Sequence, residues 1–147
     1  MVLSLISLTY ATMVNASLDP SGLAHLSDGF VAGTVVDTAP RWSEGGIWTV
    51  ARVEDAQGWV TEVWLRGGCL DGVCMTVSGV PVVDEGEQVY VFLRGREPTS
   101  FAQGLFHVMG DDAVRDVSTL AFAHGPAPVA AYRLHDLEIA ARELPRR

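Results

Sequence analysis

Lysine is absent from this 147-residue chain: all ten basic side chains are arginines, set against eighteen acidic ones, and the formal net charge is −8. An acidic surface repels phosphate backbones and anionic headgroups, which argues against a general nucleic-acid binder and against an anionic membrane surface. The arginines are scattered through the chain, with no basic stripe to override that balance. No apolar run approaches the roughly 20 residues of a membrane-spanning helix, so no membrane span is expected. Cysteine is nearly missing, with two residues, and the four histidines (His25, His107, His124 and His135) include no His-x-x-x-His pair. There is no Gly-x-Ser-x-Gly nucleophile elbow, no phosphate-binding glycine loop and no calcium-loop spacing. Neither a metal nor an organic cofactor is expected, and no residue is assigned a catalytic role.

The residues that remain suit a folded domain. Nearly half of the chain is apolar, enough to build a core, and the length fits one domain of 17–147 behind a leader. Residues 2–14 (VLSLISLTYATMV) carry no charge and have the length of a leader's apolar region. Val14-Asn15-Ala16 offers small residues for cleavage, so a signal peptide over 1–16 is expected, with export to the periplasm or the exterior. The stretch lacks a basic n-region, which would place the true start further upstream. The other reading of the segment is a buried first strand or helix of a cytosolic protein.

From Phe30 onward the chain reads as short β-rich runs between turn residues. Phe30–Val36, Ile47–Glu54, Trp59–Leu65, Val73–Val77, Gln88–Leu93 and Leu105–Met109 are the expected strands, with Val114–Val117 a weaker one. Residues 40–46 (PRWSEGG) read as a loop. In Ile47–Glu54, alternation puts Ile47, Thr49, Ala51 and Val53 on one face and Trp48, Val50, Arg52 and Glu54 on the other. Closely spaced, turn-linked strands predict a mostly β fold, a small antiparallel barrel or sandwich. Residues 121–131, rich in proline and alanine, read as a linker or loop. Leu134, Leu137, Ala141 and Leu144 then predict a C-terminal helix over about 133–144, packing on one end of the barrel or docking to a partner.

Cys69 and Cys74 flank Leu70-Asp71-Gly72-Val73. An Asp-Gly turn would pair Leu70 with Val73 and set Cys69 opposite Cys74 in a non-hydrogen-bonded pair, within disulfide reach. A metal pair lacks further ligands, and a redox pair would favour Cys-x-x-Cys. A structural disulfide fits an oxidising compartment.

His107 reads as a strand residue. Asp84-Glu85-Gly86-Glu87 and Asp111-Asp112 read as solvated turns. The tryptophans stand out, because all four (Trp42, Trp48, Trp59 and Trp64) fall between positions 42 and 64. Trp59 and Trp64 have opposite parity on one strand, so one should be buried and the other should face outward. An outward indole beside Trp42 or Trp48 could stack on a sugar ring or a partner's apolar anchor. Packing in the core or pinning loops is the commoner role.

The run Leu26-Ser27-Asp28-Gly29-Phe30-Val31-Ala32-Gly33-Thr34-Val35-Val36 resembles the opening of an uncharacterised family of small exported bacterial β-barrel proteins. Gly79-Val80-Pro81, the stretch Glu85-Gly86-Glu87-Gln88-Val89-Tyr90-Val91-Phe92-Leu93, and Gln103-Gly104-Leu105-Phe106 match later segments of that family. The layout is also similar to netrin-like domains, the OB-type barrels of tissue inhibitors of metalloproteinases. The resemblance implies a small antiparallel OB-like barrel with a short C-terminal helix. It also implies an exported module that binds a protein or glycan of the envelope or exterior. No cysteine stands at the expected mature start, Ser17, so a zinc-chelating N-terminus is not carried over. The expectation is a non-catalytic interaction module whose binding residues are Trp42, Trp48, Trp59 and Trp64. An inhibitor or accessory protein of a secreted hydrolase, or an unrecognised hydrolase, are the alternatives.

Overall fold

Where apolar and polar residues alternate, a strand buries one face; where apolar residues run unbroken, it buries both. Both patterns occur in the computed structural model, which describes residues 12–125 and 129–145. Strand β1 (Thr12–Ala16) precedes helix α1 (Pro20–Leu26). Strands β2 (Gly29–Ser43), β3 (Gly46–Asp55) and β4 (Val60–Arg66) then form an antiparallel meander. A small hairpin of β5 (Gly68–Leu70) and β6 (Val73–Met75) follows. After β7 (Gln88–Arg94) and β8 (Glu97–Pro98), a 3-10 turn at Phe101–Gly104 leads into β9 (Leu105–Met109) and β10 (Asp112–Val114). Strands β11 (Leu120–His124) and β12 (Ala131–Arg133) precede helix α2 (Leu134–Ala141).

The main sheet has the order β12-β10-β9-β7-β2-β3-β4, with β8 added to β7. The fold is mostly β and its main sheet is antiparallel, but among the described residues the strands do not close into the small OB-like barrel that was expected. Strand β4 meets the β7–β8 hairpin through a single backbone bond, Trp64 N–H to the Arg96 carbonyl at 2.8 Å. Strand β8 is only two residues long and ends on Pro98, which has no N–H to extend a ladder.

Other boundaries also moved. Residues 40–43, expected in a loop, continue β2 and pair with β3 down to Ser43–Gly46. Glu44 and Gly45, both at positive φ, make the tip. Pro40 is tolerated because β7 pairs with β2 only as far as Thr34, so its missing donor faces an open edge. The expected linker over 121–131 contains most of β11 and the start of β12. Helix α2 ends at Ala141, short of the expected 144. Helix α1 was not anticipated, although its start carries an N-cap. Asp19 Oδ1 accepts the Gly22 N–H at 2.7 Å, and Pro20 opens the first turn.

The Asp71-Gly72 turn and the registers Leu70–Val73 and Cys69–Cys74 are as the sequence predicts, and the two sulfurs are bonded. Both cysteines are exposed. So short a closed loop contributes about 2 kcal/mol on chain-entropy grounds.

Strand β7 lies at the centre and is buried on both faces. Val89, Val91 and Leu93 enter one cluster with Val31, Val53 and Val63. On the other face Phe92 packs with Phe106 of β9, Leu23 of α1 and Leu137 of α2. This explains the unbroken run Val-Tyr-Val-Phe-Leu.

Arg115 is buried to 1% exposure and, among the described residues, no carboxylate lies within ion-pair distance, although the charge of Asp19 favours its protonated form. Its Nε donates to the Val129 carbonyl at 3.0 Å, one terminal nitrogen to Gln103 O at 3.0 Å and the other to Leu18 O at 2.8 Å. The Phe106 and Tyr132 rings lie 5.2 and 5.5 Å from its guanidinium carbon. Burial lowers its pKa from the ordinary value.

The expected leader is described only in part. Residues 1–11 lie outside the described residues, and Thr12–Ala16 is strand β1, pairing in parallel with β11 and burying Val14.

Two outcomes follow. Replacing Arg115 by Met leaves three inward-facing carbonyls without their donor, and should cost at least about 3 kcal/mol in urea unfolding, with an unchanged m-value. The Tyr90 hydroxyl donates to Glu138 of α2 at 2.8 Å. Its pKa is pushed up from 10.0 to about 12, first by burial and then by its bond to Glu138 and that residue's charge. The folded state favours the neutral phenol, so this contribution is complete below pH 10 and lost as pH rises toward about 12. Ultraviolet difference titration should find one tyrosine ionising near pH 12, and Glu138→Gln should bring that titration partway down.

Candidate functional site: the tryptophan and arginine face

Alternation along the β2–β3–β4 meander sorts its side chains. Thr49, Ala51 and Val53 point toward the core with Val63 and Leu65, and Trp48, Val50 and Arg52 point outward with Trp64 and Arg66. Register then sets outward residues side by side. Arg41, Trp48 and Arg66 form one row, and Val50 and Trp64 the next. A third row holds Asp37, Arg52 and Glu62, in which Arg52 pairs with Asp37 at 2.9 Å.

The two indoles meet edge to face, with centroids 5.9 Å apart. Arginines cover them. Arg66 lies 4.8 Å from the Trp48 ring, while Arg41 and Arg96 lie 5.3 and 5.2 Å from that of Trp64. Each stack contributes on the order of 0.5–1 kcal/mol at an exposed position. Arg66 is also held by Glu97 at 3.1 Å, and the Trp64–Arg96 backbone bond fixes the approach of Arg96. Trp48 is 8% exposed, and its Nε1 donates to Ser43 O at 3.1 Å. The Trp64 Nε1 is buried and has no hydrogen-bond partner among the described residues. All three guanidinium-bearing residues are exposed. A guanidinium over a ring can still offer N–H donors to a carboxylate, as Arg66 does to Glu97.

Of the four tryptophans, the fold brings together only Trp48 and Trp64. Trp42 pairs with Ile47, on the opposite face near the hairpin tip, and is 52% exposed. Trp59 lies before the start of β4 and is 75% exposed. Neither Trp59 nor Trp64 is in the core, which departs from the expected buried-and-outward split, because Trp59 has core parity but stands beyond the sheet's end. Arg41, Arg66 and Arg96 were not anticipated as site residues. Their separation in sequence hid a proximity that depends on register.

Other chemistry-bearing groups are dispersed. His107 Nδ1 is 2.5 Å from Glu87 Oε2, joining the start of β7 to β9. Asp116 lies near this pair, its carboxyl held below the usual range by the Ser118 hydroxyl and N–H, with the charge of His107 adding to the effect. An open cleft of about 250 Å³ is lined by His25, Leu26, Ser27, Asp28, Arg94 and Pro145, and does not include His107. Among the described residues, no three His, Cys, Asp or Glu side chains converge as a metal would require. No helix among them is long and apolar enough to cross a membrane.

Set beside known proteins, the chain matches no family model, no curated protein and no solved structure.

Proposed function

We propose that the protein is an exported, non-catalytic module that binds a protein or glycan of the envelope or exterior. The contact surface is the outer face of β2–β3–β4, and an OB-like use of one sheet face is the closest analogy. The observation that carries this reading is the gathering of Arg41, Arg66 and Arg96 over the paired indoles of Trp48 and Trp64. Arginine and tryptophan are the residue types most often responsible for binding energy at interfaces. In a chain of net charge −8, this face gathers three exposed arginines, of which Arg66 is paired with Glu97. A partner protein fits better than a sugar stacked on an indole, because Trp48 is closed off and Trp64 is half-buried under guanidinium groups. The disulfide Cys69–Cys74 is compatible with the compartment.

The test is affinity capture from the envelope and external fractions of the source cells, using the native protein and an Arg41→Glu/Arg96→Glu variant. A partner held by the native protein should be retained at least about tenfold less by the variant, and less at high salt. Equal capture by both proteins would remove this face from consideration. Capture of a secreted hydrolase would narrow the role to inhibitor or accessory protein.

One observation favours a second reading, an unrecognised hydrolase. Glu87 orients His107, as the third member of a triad orients its base. Chromogenic ester, phosphate and glycoside substrates would test it. Turnover that falls at least about a hundredfold in His107→Gln supports it, and the absence of turnover removes it.

A further inference from the structure

Cleavage after Ala16 would remove strand β1 entire, and three features depend on that strand. Among the described residues, β11 has β1 as its only ladder partner, through the registers Thr12–Leu120, Met13–Ala121, Val14–Phe122 and Ala16–His124. Val14 fills a small cluster with Ala102 and Leu120, flanked by Phe101, Val117 and Phe122. Gln103, at 0% exposure, grips the chain on both sides of the expected cut. Its Nε2 donates to Ala16 O at 3.2 Å and to Ser100 Oγ at 2.9 Å, and its Oε1 accepts the Leu18 N–H at 2.7 Å. Losing residues 12–16 would strip one acceptor from a fully buried amide, open an apolar slot and leave a bare strand edge.

We propose that a leader peptidase instead cuts between Ala11 and Thr12, so that the mature chain begins with the first residue of β1. Thr9-Tyr10-Ala11 supplies small residues at the two positions such an enzyme reads, and Val2–Leu8 supplies the uncharged, largely apolar stretch before them. The step is a hydrolysis. Water adds across the Ala11–Thr12 amide, leaving a carboxyl on the leader and an α-amine on Thr12. Strand β1 then serves as a permanent N-terminal staple, with Gln103 reading its last carbonyl. The proposal rests on the export reading.

The test is expression of the chain in a Gram-negative host, with a short lysine-bearing n-region placed ahead of Val2, followed by fractionation, intact mass and N-terminal sequencing. A species outside the cytoplasm that begins at Thr12 is expected. One beginning at Ser17 overturns the proposal and leaves export standing. A wholly unprocessed cytoplasmic species overturns both. Ala11→Gln should abolish processing, whereas Ala16→Gln should leave the cut in place. As an independent measure, protein starting at Ser17 should melt several degrees below protein starting at Thr12. Equal melting temperatures would remove the structural ground.

Discussion

Arg115 is the constraint around which distant parts of the chain are arranged. One guanidinium ties the segment ahead of α1 (Leu18), the 3-10 turn (Gln103) and the approach to β12 (Val129). It does so between an aromatic ring of β9 and another of β12. Burying a cation costs several kcal/mol, and Asp19 is close enough to favour the charged form without forming an ion pair. Here the cost is offset by carbonyl dipoles aimed at its donors and by two ring faces. Only a planar fork with donors on three nitrogens meets three carbonyls in different directions. The carbonyls belong to irregular backbone outside the sheet ladders, that of Gln103 buried and those of Leu18 and Val129 part-buried, so the charge and the loops satisfy each other.

The same logic extends to Gln103, whose backbone carbonyl serves Arg115 while its side chain holds Ala16 and Leu18. Polar groups buried this deeply specify geometry more than they add stability. They determine where the N-terminal segment crosses the domain. The apolar clusters on the two faces of β7 supply the bulk of the cohesion.

Much of this fold was legible in the sequence. Face alternation in β3, the limits of β9 and the cysteine hairpin all follow from local periodicity and turn chemistry. Two glycines, Gly33 and Gly104, have a plain steric reason. A Cβ on Gly33 would lie 2.2 Å from the Glu54 carbonyl oxygen, and one on Gly104 would lie 2.4 Å from that of Thr99. Such approaches fix a backbone, not an activity. What escaped was everything set by long-range pairing. Taking Pro40 as a loop residue cut β2 short, and with it went the register that sets Arg41 against Trp48. Arg96 reaches Trp64 only because the β7–β8 hairpin folds across to β4. Arg115 and Gln103 carry no local pattern that distinguishes a buried polar hub from a solvated strand end.

The position of β7 has a consequence for how the chain comes together. Its partner β2 lies about sixty residues earlier, while β2, β3 and β4 are joined by short turns. The meander can therefore form early, but the central strand cannot seat until most of the chain is present. Closing so long a loop is entropically costly, and folds that depend on it assemble slowly. While the chain is being made, its N-terminal half therefore has no complete sheet in which to settle.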